Sequence, residues 1–189
     1  SKPLRALDAA TGTCDQLLIL LEKAPHISSM IGLDASKKML ALGKAKVEKH
    51  RLKSKVTLQE GSIEHLPFLD SSFDVVTLSF GIRNVENLSS SLNELYRVIE
   101  KEGKLLILEF SLPSSLVFKK LHLFYLRKCV PWIGKLLSHH KEAYTYLAET
   151  ITTFPYGSEF CALLKESGFK QVRAHPLSQG VVTIYEAIK

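Results

Sequence analysis

Strand-like and helix-like segments alternate along most of this chain, and that alternation restricts it to a few architectures. Leu4–Ala10 reads as a short strand, and Asp15–Lys23 has the apolar period of a helix. Met30–Asp34 reads as a second strand, followed by a helix over Ser36–His50 that Ser36 can N-cap. Lys55–Gln59 alternates as a third strand. Phe73–Ser79 (FDVVTLS) and Lys104–Phe110 (KLLILEF) are apolar enough for strands buried on both faces, the second entered through a turn at Gly103. Asn87–Glu100, between them, has helical spacing. The pattern predicts a parallel, doubly wound sheet. The ending differs: a helix over Tyr156–Gly168 precedes two strands, Lys170–His175 and Val181–Ala187, joined only by Pro176–Gly180. So short a connection closes only an antiparallel hairpin, because a parallel crossover takes about a dozen residues or more.

Composition excludes several classes. The apolar and charged fractions, 46% and 23%, suit a folded globular chain and not a disordered one. Cys14, Cys129 and Cys161 are far apart, without disulfide or zinc-ligand spacing, so a reducing compartment is expected. No apolar run approaches the roughly 18–20 residues that span a bilayer. Ser1-Lys2-Pro3 leads directly into a strand without the regions of a signal peptide, so a soluble or peripheral protein is expected. His122, His139 and His140 have no partner set for a metal site.

The strand ends carry the chemistry. Asp8-Ala9-Ala10-Thr11-Gly12-Thr13-Cys14-Asp15 joins the first strand to a helix. A turn there aims backbone N–H groups at a ligand, and small residues admit it closely. Only Gly12 is a glycine, so the fingerprint for a pyrophosphate is not met; S-adenosylmethionine has no phosphate and accepts a looser cradle. Asp34, ending the second strand before Ala35, has the position of an acid that accepts both hydroxyls of a ribose; taken alone it also reads as a helix N-terminal acid. Gly61-Ser62-Ile63-Glu64 follows the third strand and can present a hydroxyl and an N–H to adenine. A parallel sheet finished by an antiparallel strand resembles the class I methyltransferases, whereas nicotinamide-dependent dehydrogenases keep their sheet parallel.

From Ser72 to Asn87 the sequence reads SFDVVTLSFGIRNVEN, preceded by Ile63-Glu64-His65-Leu66-Pro67-Phe68. These residues resemble the ubiquinone/menaquinone biosynthesis C-methyltransferase family, whose F-G-[IL]-R-N-V segment stands here as Phe80-Gly81-Ile82-Arg83-Asn84-Val85. Tyr96-Arg97-Val98, Leu108-Glu109-Phe110-Ser111, Tyr146–Ile151 and Gly180-Val181-Val182 extend the match over nearly the whole chain. The resemblance implies an α/β, Rossmann-like, doubly wound seven-stranded sheet with a terminal antiparallel hairpin. It implies one methyltransferase domain over residues 1–189, with a helical insert at about 113–155 on the substrate side. It also implies methyl transfer from S-adenosylmethionine to a ring carbon of demethylmenaquinol or a ubiquinol precursor. Asp8, Ala10, Gly12, Thr13, Asp34, Ala35, Ser62, Ile63 and Ser79 are then the cofactor residues. Arg83 and Asn84 face the quinol, with Arg83 stabilising its phenolate and His65, Glu64 or a water taking the proton. Outside the motif, Arg83 also reads as a structural ion pair at a strand end.

The sequence departs from the family at Thr11 and Cys14, where relatives have glycine, at Ser62, where they have Asn or Asp, and at Lys101-Glu102-Gly103, where they have a Pro-Gly-Gly turn. Relatives also carry an N-terminal segment absent from these residues. The expectation is a truncated chain or a naturally shortened member whose activity is itself in question. Competing readings are a class I methyltransferase for another small molecule and a cofactor-binding scaffold without turnover. Lys119, Lys120, Arg127, Lys128, Lys135 and Lys141 occupy a stretch without an acid, interleaved with Phe118, Leu121, Phe124, Tyr125, Val130, Trp132, Ile133 and Leu136. That stretch reads either as a membrane-surface helix broken near Pro131 or as a cap packed on the sheet with a solvated basic face. Expected partners are an isoprenoid quinol and a membrane surface but not nucleic acid, with a homodimer or a quinone-biosynthetic complex left open. The expected location is cytoplasmic and peripheral to the inner membrane, or the mitochondrial matrix face in a eukaryote.

Overall fold

The computed structural model describes residues 3–130 and 141–189. Seven strands form one sheet: β1 (Leu4–Ala9), β2 (Ile27–Asp34), β3 (Val56–Glu60), β4 (Phe73–Ser79), β5 (Ile99–Phe110), β6 (Lys170–Leu177) and β7 (Val182–Ile188). Their order is β3-β2-β1-β4-β5-β7-β6, and β7 runs antiparallel to both its neighbours. Six helices accompany it among the described residues: α1 (Asp15–Lys23), α2 (Lys37–Lys49), α3 (Leu88–Val98), α4 (Leu116–Phe124), α5 (Lys141–Thr153) and α6 (Ser158–Glu166). The doubly wound sheet, the terminal hairpin and the helical insert between β5 and α6 agree with the sequence.

β1 lies inside the sheet, between β2 and β4, because it can be buried on both faces: Ala6, Leu7, Asp8 and Ala9 are all within 1% of full burial. Ala6 joins Leu17, Met30, Val47 and Val56 in the core under α1 and α2. Leu7 and Ala9 join Val76, Leu95, Ile107, Phe160 and Tyr185 in the core under α3 and α6. The last turn of α3 also places Arg97, whose guanidinium binds Glu94, Asp70 and the carbonyls of Leu66 and Phe68 and so ties down the loop before β4.

Several boundaries differ from the sequence reading, three of them in ways that bear on packing. β2 starts at Ile27, where it pairs with Leu4. Helix α3 stops at Val98 and β5 begins at Ile99, which pairs with Phe73 before the register shifts to Val75↔Lys104. A fully buried, β-branched Ile99 suits a strand, and residues 100–103 bulge out behind it. Gly103 closes that bulge, since a Cβ there would stand 2.7 Å from the Glu100 carbonyl oxygen and 2.9 Å from that of Asp74. In the hairpin β6 runs to Leu177, and Ser178–Gly180 forms the turn.

In the insert, α4 continues through a wider π turn at Tyr125–Cys129, and Leu112, Leu126, Ala148 and Ile151 form a small core between α4 and α5. Pro131, Trp132, Ile133, Lys135, Leu136, His139 and His140, singled out in the sequence, lie outside the described residues.

Candidate active site

The loops at the carboxyl ends of β1, β2, β3 and β4 surround a cavity of about 460 Å³. Ala10, Gly12, Asp34, Ala35, Ser62, Ile63, Ser79 and Asn84, all named from the sequence, line it. Phe80, Gly81 and Val85 of the family segment line it as well, and so does Met39, which the sequence reading does not single out. Met39 gave a usable signal: a methionine in the first turn of the helix behind Asp34, with its side chain still 45% exposed.

The β1 loop is built of alternating left-handed residues, Ala10 (φ 64), Gly12 (φ 55) and Cys14 (φ 66). Only one of them is glycine, so the other two carry roughly 1–2 kcal/mol of strain each. Cys14 is wholly buried and its Sγ stands against Gly43 of α2, with burial pushing the thiol up, which makes it a spacer and not a reactive group. Asp34 fastens the loop: one carboxylate oxygen accepts from Gly12 N at 2.7 Å and the other from Ser36 N at 2.8 Å. Each oxygen keeps a lone pair, and the carboxylate borders the cavity. The Ser79 hydroxyl is buried at the same wall without a hydrogen-bond partner. At Gly81 an added Cβ would lie 2.5 Å from the Ala10 Cβ, so the β1 and β4 loops meet only because this residue has no side chain.

Asp8 and Thr13 do not reach this cavity. They border a second one of about 650 Å³ beside α1, walled by Ile19, Leu20, Leu106, Leu108 and Ile184 and sharing Ala10, Gly12, Ser79 and Phe80 with the first. The Thr13 hydroxyl is turned to Asp15 and Lys46. Arg83 borders neither cavity. Its Nη1 donates to the Phe80 carbonyl at 2.6 Å and to Glu109 Oε1 at 2.8 Å, and its guanidinium lies 5.2 Å from the centre of the Phe110 ring. Asn84 Oδ1 accepts from the Tyr146 hydroxyl of α5 at 3.3 Å, so the insert touches the site through the turn that carries both family residues. Of the proton acceptors considered, Glu64 borders the cavity, with Oε1 engaged by Glu86 N at 2.7 Å, and His65 does not.

Comparison with known proteins identifies this arrangement. The model of the ubiE/COQ5 methyltransferase family matches residues 1–189. The chain belongs to that family. A ubiquinone/menaquinone biosynthesis C-methyltransferase UbiE of Citrifermentans bemidjiense is 42% identical over 98% of this chain and 78% of its own length. A demethylmenaquinone methyltransferase of Alkalihalophilus pseudofirmus is 39% identical over 97% of this chain and 78% of its own. In fold, the chain is similar to a methyltransferase from Aquifex aeolicus, described as dependent on S-adenosylmethionine, with a TM-score of 0.69 at 17% identity, covering 100% of this chain and 83% of that one. This family member is an S-adenosylmethionine-dependent methyltransferase. Its donor set fits the cofactor: a carboxylate with free lone pairs and an unpartnered buried hydroxyl border one cavity.

Proposed function

We propose that this enzyme methylates a ring carbon of a hydroquinone in quinone biosynthesis, demethylmenaquinol or a ubiquinol precursor. The observation that carries the reading is the turn Ile82–Asn84, where Asn84 borders the cofactor cavity and is held by Tyr146 of the insert. That turn sets the edge at which an acceptor ring meets the cofactor, and relatives that match nearly the whole chain bear the names of quinone methyltransferases.

Bound S-adenosylmethionine supplies an electrophilic sulfonium methyl. The protein's share is alignment and charge. Asp34 receives the ribose, Ser62 and Ile63 border the adenine side, and Ala10, Gly12 and Ser79 border the amino-acid end. Asp8 and Thr13 act from behind the loop. Asn84 orients the hydroquinone and the free oxygen of Glu64 takes the proton, while Arg83, held by Glu109 outside the cavity, adds positive charge behind the turn that carries Asn84. The residues at about 113–155 form the insert of a single methyltransferase domain and cover the acceptor. Because an isoprenoid tail keeps the acceptor in a bilayer, we place the enzyme in the cytoplasm, or in the mitochondrial matrix of a eukaryote, against the inner membrane.

Calorimetric titration tests the cofactor assignment. S-adenosylmethionine is expected to bind at micromolar concentration and NAD not to bind, while Asp34→Ala is expected to weaken the former at least tenfold, a change of about 1.4 kcal/mol. Turnover is measured on demethylmenaquinol in detergent. Arg83→Lys is expected to reduce kcat on the order of a hundredfold with little change in KM, since a point ammonium replaces a fixed fork. Full turnover by Arg83→Lys would remove Arg83 from the chemistry, and tight cofactor binding without turnover by the parent chain would favour a scaffold.

A further inference from the structure

Helix α4 presents its apolar side outward. Leu123 and the nearby Leu126 pack inward on Leu112, Ala148 and Ile151, yet no residue of α4 itself is fully buried. Val117, Phe118, Leu121, Phe124 and Tyr125 remain between 48% and 68% exposed. Steps of three, four and seven residues place these five on one side of a helix. Lys120 and Lys128 are exposed on the same arc. Between Ser111 and Lys141 the sequence has six lysines and arginines and no aspartate or glutamate. A helix face in contact with water has the reverse composition, charges outward and leucines inward.

We propose that this face of α4 is a membrane-docking surface that lies in the headgroup region of an anionic bilayer. The aromatic and aliphatic side chains enter the acyl boundary, while Lys120 and Lys128 extend along it to the lipid phosphates. Charge selects this occupant over a second copy of the chain. A two-fold contact through α4 would oppose the lysines with their own equivalents and offer no acid to receive them. Among the described residues no helix is long and apolar enough to cross a membrane, so attachment through α4 is peripheral. Docking also orients the catalytic side, because α4 and α5 share one small core and Tyr146 of α5 contacts Asn84. The inference stands on α4 and the π turn that continues it, and does not depend on which ring is methylated.

Flotation of the full chain with lipid vesicles is the test. Binding is expected to phosphatidylcholine vesicles containing about a third phosphatidylglycerol, and at least tenfold less to phosphatidylcholine alone. The triple variant Val117→Ser, Leu121→Ser, Phe124→Ser is expected to lose about tenfold or more of that binding. Lys120→Glu with Lys128→Glu is expected to abolish the preference for the anionic lipid. Both variants alter exposed side chains, so their melting temperature and affinity for S-adenosylmethionine are expected to match the parent, which separates this result from failure of the cofactor site. The proposal is overturned if the parent ignores anionic vesicles or if neither variant changes binding. It is also overturned if sedimentation shows a dimer that the triple variant breaks while vesicle binding persists.

Discussion

Glu109→Ala is expected to destabilise the protein by about 3–5 kcal/mol in urea unfolding, because it strands the Arg83 guanidinium. The side chains of the pair are 10% and 0% exposed, with N···O at 2.8 Å. Glu109 Oε1 also accepts from Phe110 N at 2.8 Å, whereas Oε2 and Arg83 Nε are buried without partners. Burial pushes the Glu109 carboxyl above its ordinary range, and Arg83 pulls it back. A pair this incompletely satisfied adds little net stability, although removing one member exposes the full desolvation cost of the other. The double variant Arg83→Met, Glu109→Leu is therefore expected to recover stability to within about 1 kcal/mol of the parent. Its turnover decides what the pair is for. A stable double variant with kcat reduced on the order of a hundredfold assigns Arg83 to the chemistry and Glu109 to holding it in position. An equally stable and fully active one leaves the pair as an anchor for the turn after β4.

Asp8→Asn is expected to stabilise the protein at neutral pH, by as much as roughly 3 kcal/mol. Asp8 is 1% exposed on the interior strand β1, and Thr77 Oγ1 donates to its Oδ1 at 2.8 Å. Burial, the dominant influence, drives its carboxyl from 3.8 up to about 6, and the nearby Asp34 charge pushes the same way. The native state thus holds a proton that the unfolded chain releases between pH 3.8 and about 6, so stability falls as pH rises through that window and stays lower above it. The asparagine keeps an acceptor for Thr77 and has no charge to bury. Thermal melts across that window are expected to fall for the parent relative to the variant, converging at the acid end. Parallel curves would show that ionised Asp8 is compensated within the fold.

The strand-and-helix alternation made the sheet legible, and with it the loops that face a ligand. Residues at strand ends such as Asp34, Ser62 and Ser79 could be placed because a parallel sheet brings those ends together whatever the side-chain details. Pairings across neighbouring strands were less accessible. Glu109 lies 26 residues from Arg83 and meets it only through the register of β4 on β5. A signal was present, since a lone acid within KLLILEF has to find a partner when that strand is buried. The left-handed backbone at Ala10, Cys14 and Phe80 could not be read from residue type, because none of them favours positive φ. The helical period of Asn87–Glu100 includes Ile99, but tertiary pairing with Phe73 overrides it.

The position of β7 also bears on how the protein is made. Synthesis delivers β1 well before β4, so β1 has to wait for β4 before both its edges are paired, and β5 keeps an open edge until β7 arrives to separate it from β6. On a ribosome this leaves Leu105, Leu106, Ile107 and Leu108, an apolar strand with unpaired amides, uncovered until residues 182–188 have emerged. Chaperone demand and cotranslational aggregation should therefore depend on the final hairpin, and stop codons before Val182 should yield insoluble protein even though every strand that borders the cofactor cavity has already been translated.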